Sequence, residues 1–202
     1  MPHQLDAIPR QLAYTLELLA RSMADGLLAW EEYSNALACH LRRQLRCSTV
    51  ELWRVALVCG RHTLVRMGHC RTDAAGGPQR RVPPGAALDL YLAQVRVLGV
   101  YACDDSHADP LGRSVECGDA LSDQPGAFMD ALLAINAETI GVLSCHQDCG
   151  PRLWETHERA LLRRLAARVA LHLARIDMRR CALDHTAACR RALAAAAAVP
   201  GC

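Results

Sequence analysis

The residues of this 202-residue chain best suited to chemistry are its eleven cysteines and nine histidines. Structural zinc sites commonly combine two close pairs of such ligands at short, regular spacing. Only one tight cysteine pair occurs here, Cys145 and Cys149, and no second pair repeats its spacing. The pattern therefore favours cysteines that pack as small buried hydrophobic residues, and it gives a metal site little support.

The two features that set the expected compartment are the chain start and the longest apolar stretch. Residues 1–6 lack the basic start and the apolar core of a secretory signal. No apolar stretch reaches the roughly 18 residues that a membrane span needs. We therefore expect a cytoplasmic protein with no membrane partner. Because cytoplasmic thiols stay reduced, we also expect no disulfide framework.

Charge is distributed unevenly along the chain. Residues 1–150 carry 13 arginines and 17 acidic residues, a balance of −4, whereas residues 151–202 carry 10 arginines and 4 acidic residues, a balance of +6. The overall net charge of +2 argues against a dedicated nucleic-acid binder. The excess of arginines in residues 151–202 is explained by a helix that exposes one face to solvent. Contact of that helix with nucleic acid is a third-ranked hypothesis, which would require strong salt dependence.

Hydrophobic periodicity predicts the elements that position these residues. Apolar residues at three- and four-residue steps predict amphipathic helices, at residues 5–23, 27–46 and 86–97 and from 155 through 180, with a continuation of the last helix to residue 198 left open. Segments rich in β-formers predict strands, at residues 48–59, 63–70, 100–103, 127–135 and 139–146. Short turns between neighbouring strands predict antiparallel pairing, with helices packed on one side. The expected fold class is α+β.

Several segments, taken in order, resemble the GAF domain family, a small-molecule sensing module common in bacterial signalling proteins. Residues 138–146 (ETIGVLSCH) are similar to a strand of that family that ends near a histidine, and residues 150–158 (GPRLWETHE) are similar to the loop and helix start that follow. Residues 48–55 resemble the family's first strand, and residues 104–110 resemble its Asp-Ala-x-x-Asp-Pro loop. The resemblance covers about residues 27–175.

This resemblance implies an architecture. It is a GAF-like, PAS-related, six-stranded antiparallel sheet with the N- and C-terminal helices packed on one face and a ligand pocket on the other. The expected organisation is an N-terminal helix over residues 1–25, a GAF-like domain over residues 26–178 and a C-terminal helical tail over residues 179–202.

The resemblance also indicates which residues could line the pocket. The candidates lie in segments that enclose the ligand in GAF domains: Tyr91, Tyr101, Asp104, Asp105, Arg113 and Met129. Arg113 has the forked donors that suit an anion. The alternative is structural, because aspartates in loops commonly cap turns and the other side chains could fill a core. The sequence names neither the ligand nor a cofactor.

The predicted function is a non-catalytic, small-molecule sensing or regulatory domain that acts in signal transduction. We expect a homodimer formed through the terminal helices, and contact with a separate signalling protein. The sequence lacks the family's cyclic-nucleotide signature and the bilin-attachment cysteine context, which argues against those ligands.

The alternative is a thiol or redox function, or a metal- or haem-binding GAF protein. A few GAF proteins reduce free methionine sulfoxide with loop cysteines, and Cys103 and Cys117 lie in the corresponding region. Their flanking residues do not match that enzyme, and the nearby acids Asp104, Asp105 and Glu116 disfavour a thiolate. The sequence therefore favours a protein that is not an enzyme.

Overall fold

The structure, a computed structural model, describes residues 8–72, 82, 84–109 and 125–197, with side chains as far as residue 176. Its helices are α1 (Arg10–Ala24), α2 (Trp30–Leu45), α3 (Ala86–Leu98) and α4 (Thr156–Ala197). Its strands are β1 (Thr49–Val58), β2 (Arg61–Arg71), β3 (Tyr101–Cys103), β4 (Ala127–Ile135) and β5 (Glu138–Gln147). The predicted helices and strands are all present, with bounds shifted by a few residues.

The strands form one antiparallel sheet in the order β2-β1-β5-β4-β3. Tight turns join β1 to β2 and β4 to β5, and β1 pairs with β5 at the centre of the sheet. The described part of the chain therefore holds five strands, and the expectation of six is wrong there. The expectation of six came from the family resemblance, whereas the periodicity of the sequence indicated five.

Helices α1, α2 and α4 cover one face of the sheet. Alternate residues of the strands turn towards these helices, as the two-residue period of a strand requires. Leu52, Met129 and Leu143 pack there against Leu37 of α2 and Leu165 of α4, and all five are buried. The terminal helices thus lie on one face, as predicted.

Helix α3 covers the opposite face. Its residues Leu88 and Val95 form a second, smaller core with Phe128 of β4, Val142 of β5 and Tyr101 of β3. Because Phe128 and Val142 each precede a residue of the larger core, the two clusters lie on opposite sides of the sheet. The face beneath α3 is the one where the resemblance implies a ligand pocket.

A disulfide joins α2 to β2, contrary to our expectation of reduced cysteines. Cys39 and Cys70 are bonded, with their Cα atoms 4.9 Å apart. The two elements approach closely because β2 carries Gly68, where an added Cβ would lie 2.6 Å from the carbonyl carbon of Ser34. A pairing across 31 residues depends on this packing, which local sequence patterns do not record.

Helix α4 is 42 residues long and continues without interruption across residue 178. The predicted division between domain and tail falls inside this helix and stays a prediction. At about 1.5 Å per residue, the part from 177 to 197 extends roughly 30 Å. None of the helices in the described ranges is long and apolar enough to cross a membrane.

Candidate functional site

A row of polar side chains crosses the sheet beneath α3. Glu51 of β1, Ser144 of β5 and Asp130 of β4 are paired in register on three adjacent strands. Their neighbours along each strand belong to the core beneath α1, α2 and α4. Because side chains alternate along a strand, these three side chains point to the opposite face, towards α3. His146 lies two residues beyond Ser144 on the same face, and Tyr91 reaches the row from α3. We call these five residues the polar strip.

Hydrogen bonds connect the polar strip. The Tyr91 hydroxyl donates to Asp130 Oδ2 at 2.7 Å, and the Ser144 hydroxyl donates to Asp130 Oδ1. His146 Nε2 lies 3.3 Å from Ser144 Oγ, and His146 Nδ1 lies 4.0 Å from Glu51 Oε2. All five side chains are buried. Hydrogen bonds therefore link Tyr91, Asp130, Ser144 and His146, and Glu51 lies beside His146 at the end of this buried row.

The electrostatics of the polar strip centre on two buried carboxylates. Burial raises the pKa of Glu51, and the nearby charge of Asp130 raises it further, while Arg66 opposes the shift. Arg66 Nη1 lies 3.5 Å from Glu51 Oε1. Glu51 Oε2 is buried and accepts no hydrogen bond from the described residues. A buried polar network is costly unless its members find partners, so this oxygen offers an acceptor to a bound molecule.

Two of the predicted ligand contacts, Tyr91 and Tyr101, lie together at this face. Tyr91 belongs to the polar strip. Tyr101 is the partner of Asp130 in the β3–β4 register, and its ring packs edge-on against Phe128 with centroids 5.4 Å apart. The Tyr101 hydroxyl donates to Asp109. Both tyrosines could contact a molecule held beneath α3, and that contact stays a prediction.

Asp104 and Asp105 lie in the loop after β3, where they hold backbone groups. Asp104 Oδ1 accepts from the backbone N–H of Trp154 at 2.9 Å and lies 3.5 Å from Arg159, so it fixes the segment that leads into α4. Asp105 Oδ1 accepts from the backbone N–H of His107 at 3.0 Å, which closes a turn. These contacts match the structural alternative that the sequence offered for loop aspartates.

A further candidate, Met129, does not join the polar strip. Met129 is buried in the core beneath α1, α2 and α4, because it alternates with Phe128 and Asp130 along β4. Its placement on the ligand-facing side is therefore corrected. Arg113 lies outside the described residues.

Sequence reasoning did not select Glu51, Asp130 or Ser144, and it assigned His146 mainly a structural role. A signal for the first two was present. Each is an acid in the middle of a strand between apolar neighbours, Val50 and Leu52 around Glu51, for example. Such a position points into the domain, and buried acids are rare unless they are paired.

No group of three or more His, Cys, Asp or Glu in the described part of the chain is arranged to hold a metal ion. For the thiol hypothesis, Cys103 is buried on β3 and Cys117 lies outside the described residues.

A family model described as the GAF domain matches residues 30–173. No curated protein matches the chain in sequence. Among solved structures, the blue-light absorbing form of the Thermosynechococcus elongatus PixJ GAF domain is 17% identical, with a TM-score of 0.56; the match covers 90% of this chain and 96% of that one.

Two further solved structures share the fold. The GAF domain of an Acinetobacter phosphoenolpyruvate-protein phosphotransferase is 8% identical, with a TM-score of 0.55, covering 85% of this chain and 97% of that one. The chromophore-binding domain of a bacteriophytochrome from R. palustris is 13% identical, with a TM-score of 0.58; the match covers 85% of this chain and 64% of that one. At these identities the likeness establishes the fold.

Proposed function

Because this chain belongs to the GAF domain family, we propose that it is a non-catalytic sensory domain that binds a small molecule at the polar strip. The observation that carries the proposal is the strip itself. Five hydrogen-bonding side chains are buried where a purely structural sheet face would be apolar. Binding pockets combine apolar walls with a few convergent polar groups, and here Phe128 and Val142 supply the walls beside the strip.

The chemistry of the strip favours a ligand that donates hydrogen bonds. Asp130 and Glu51 are acceptors, and Ser144 and Tyr91 add hydroxyl groups. Among the solved GAF structures, one holds bound biliverdin IXa and another is a chromophore-binding domain. Those ligands belong to those proteins; they support the proposal that a domain of this fold holds a small molecule, and they do not name the ligand here.

A thermal-shift screen tests the ligand proposal. We would screen nucleotides, amino acids, inorganic anions and biliverdin. A ligand at 100 times its dissociation constant adds about 2.7 kcal/mol of stability, which raises the melting temperature of a domain this size by roughly 5–11 °C. Ser144→Ala should abolish the shift produced by a hit, and Ser22→Ala on α1 should leave it unchanged. A panel without hits, or a hit that ignores Ser144→Ala, overturns the proposal.

A second part of the proposal is that two copies of the chain pair through α1 and α4. These helices pack against each other, with Glu17 3.5 Å from Arg168 and 3.4 Å from His172. They also leave large apolar side chains in solvent, since Leu18 is 50% exposed and Leu171 is 52% exposed. A second copy would cover these side chains. Ligand binding could then be passed to a separate cytoplasmic signalling protein, provided that the ligand favours one arrangement of the pair.

Sedimentation velocity tests the pairing independently of any ligand. We expect the wild-type chain to sediment as a dimer and Leu18→Glu to sediment as a monomer, because a buried charge at the interface would be unpaired. Leu90→Glu is the matched control, since Leu90 is 58% exposed but lies on α3. A monomeric wild type, or equal effects of the two substitutions, would remove the pairing while leaving the ligand proposal intact.

A further inference from the structure

A cavity lies at the end of α2, away from the polar strip. It has a volume of about 430 Å³ and opens to solvent between the last turn of α2, the start of β1 and the end of β2. Three arginines line it, Arg42, Arg43 and Arg46, together with the hydroxyl residues Ser48 and Thr72. The cavity and the polar strip have no residue in common, so each can fail its test without affecting the other.

None of the three arginines has an acidic partner in the ranges that the structure describes. Among the described residues, no carboxylate lies within 4.0 Å of any of their guanidinium groups. Two acids on neighbouring segments are engaged elsewhere, because Asp148, next to Gln147 in the chain, pairs with Arg71 at 2.8 Å and Glu158 pairs with Arg152 at 2.6 Å. Within the described part of the chain, the positive charge that lines the cavity is therefore uncompensated.

The end of α2 accounts for only part of this charge. A helix C-terminus carries about half a negative charge, which favours a cation in the last turn. However, the terminal carbonyl groups of Leu45 and Arg46 already accept hydrogen bonds from Arg152, each at 2.9 Å. The positive charge of three further guanidinium groups is more than the partial negative charge of this helix end would balance.

Arg42 supplies a donor that lacks an acceptor. Its Nη1 donates to Thr72 Oγ1 at 2.9 Å, and Thr72 Oγ1 in turn donates to the Ser48 carbonyl at 3.0 Å. The Arg42 Nε atom is buried and has no hydrogen-bond partner in the described part of the structure. A buried donor without an acceptor costs free energy, and an anion in the cavity would supply one.

The thiol of Cys47, which also lines the cavity, is consistent with the excess positive charge. A hydrogen bond from Cys145 and the charges of Arg152 and Arg42 lower the pKa of Cys47, against the opposing effect of burial.

We propose that this cavity binds a phosphate group, held by the guanidinium groups of Arg42, Arg43 and Arg46. A guanidinium group can donate two parallel hydrogen bonds to two oxygens of one phosphate, which makes arginine well suited to this anion. The phosphate could be free or esterified to a small molecule, and the open cavity of about 430 Å³ admits either.

Isothermal titration calorimetry tests the site, with inorganic phosphate, adenosine monophosphate and adenosine as probes at constant ionic strength. We expect phosphate or adenosine monophosphate to bind and adenosine not to bind; the tighter of the two binders identifies a free or an esterified phosphate. Absence of binding by both phosphate compounds at millimolar concentration overturns the proposal, as does equal binding of adenosine and its monophosphate.

Variants show whether the arginines make the site. Arg46→Gln should weaken binding about tenfold or more, the loss expected for one charge-assisted hydrogen bond. Arg42→Lys keeps the charge but removes the fork, and it should also weaken binding. Arg10→Gln changes the net charge equally at an exposed position on α1, and should alter the affinity less than about twofold. Equal losses in Arg46→Gln and Arg10→Gln would indicate non-specific attraction and overturn the proposal.

Discussion

Removal of a single oxygen atom, in Tyr91→Phe, tests whether the polar strip is a connected network. In the structure the Tyr91 hydroxyl donates to the buried Asp130 carboxylate at 2.7 Å. Phenylalanine has the same ring, so the substitution leaves no large cavity and removes chiefly the hydrogen bond. A hydrogen bond to a charged group contributes roughly 1.5–3 kcal/mol. For a domain of this size, each kcal/mol lowers the melting temperature by about 2–4 °C.

Urea unfolding, followed by circular dichroism, measures this loss. We expect the free energy of unfolding of Tyr91→Phe to fall by about 1.5–3 kcal/mol. Tyr14→Phe is the matched control, because Tyr14 is 70% exposed on α1 and the same change there should stay within about 0.5 kcal/mol.

A double-mutant cycle then assigns the loss to its partner. With Asp130→Asn as the second substitution, the two changes should be less than additive, because both weaken the same hydrogen bond. If Tyr91→Phe costs no more than Tyr14→Phe, or if its effect simply adds to that of Asp130→Asn, the network described here is wrong.

Three further predictions concern packing, pH and redox state. Gly68→Ala should lower the free energy of unfolding by about 1–3 kcal/mol, because the new Cβ would lie 2.6 Å from the carbonyl carbon of Ser34; an unchanged urea midpoint would contradict the close packing of α2 on β2. Burial raises the pKa of Glu51 above 4.5, so the folded state binds the proton more tightly and stability falls as pH rises from 4.5 through the raised pKa. Glu51→Gln should remove that decline in urea titrations between acidic and neutral pH, and a wild-type curve that instead rises there would refute the assignment. Cys39→Ser should cost about 3–4 kcal/mol without reductant, the value for a loop of this length, and a reductant should bring the wild type to the same stability; a wild type unaffected by reductant would contradict the bond to Cys70.

The sequence alone predicted much of the fold. Amphipathic periods located α1, α2, α3 and α4, and β-rich segments located all five strands, because burial of one face imposes a period that local sequence records. The short turn between β4 and β5 likewise predicted their antiparallel pairing. The family resemblance added an expectation that periodicity could not give, namely a ligand pocket on the face opposite the terminal helices, and this stays a prediction.

Only the tertiary structure decided which distant residues meet. Glu51, Ser144 and Asp130 come from three strands separated by many residues, and strand register alone places them side by side. The same holds for the Cys39–Cys70 disulfide and for the cavity that gathers arginines of α2 beside Thr72. It also holds for Met129, because alternation along β4 separates Met129 from Phe128 but only the packing of the helices decides which of them faces α3. Local patterns fix the period and the burial of each element, whereas contacts between elements depend on how the elements pack.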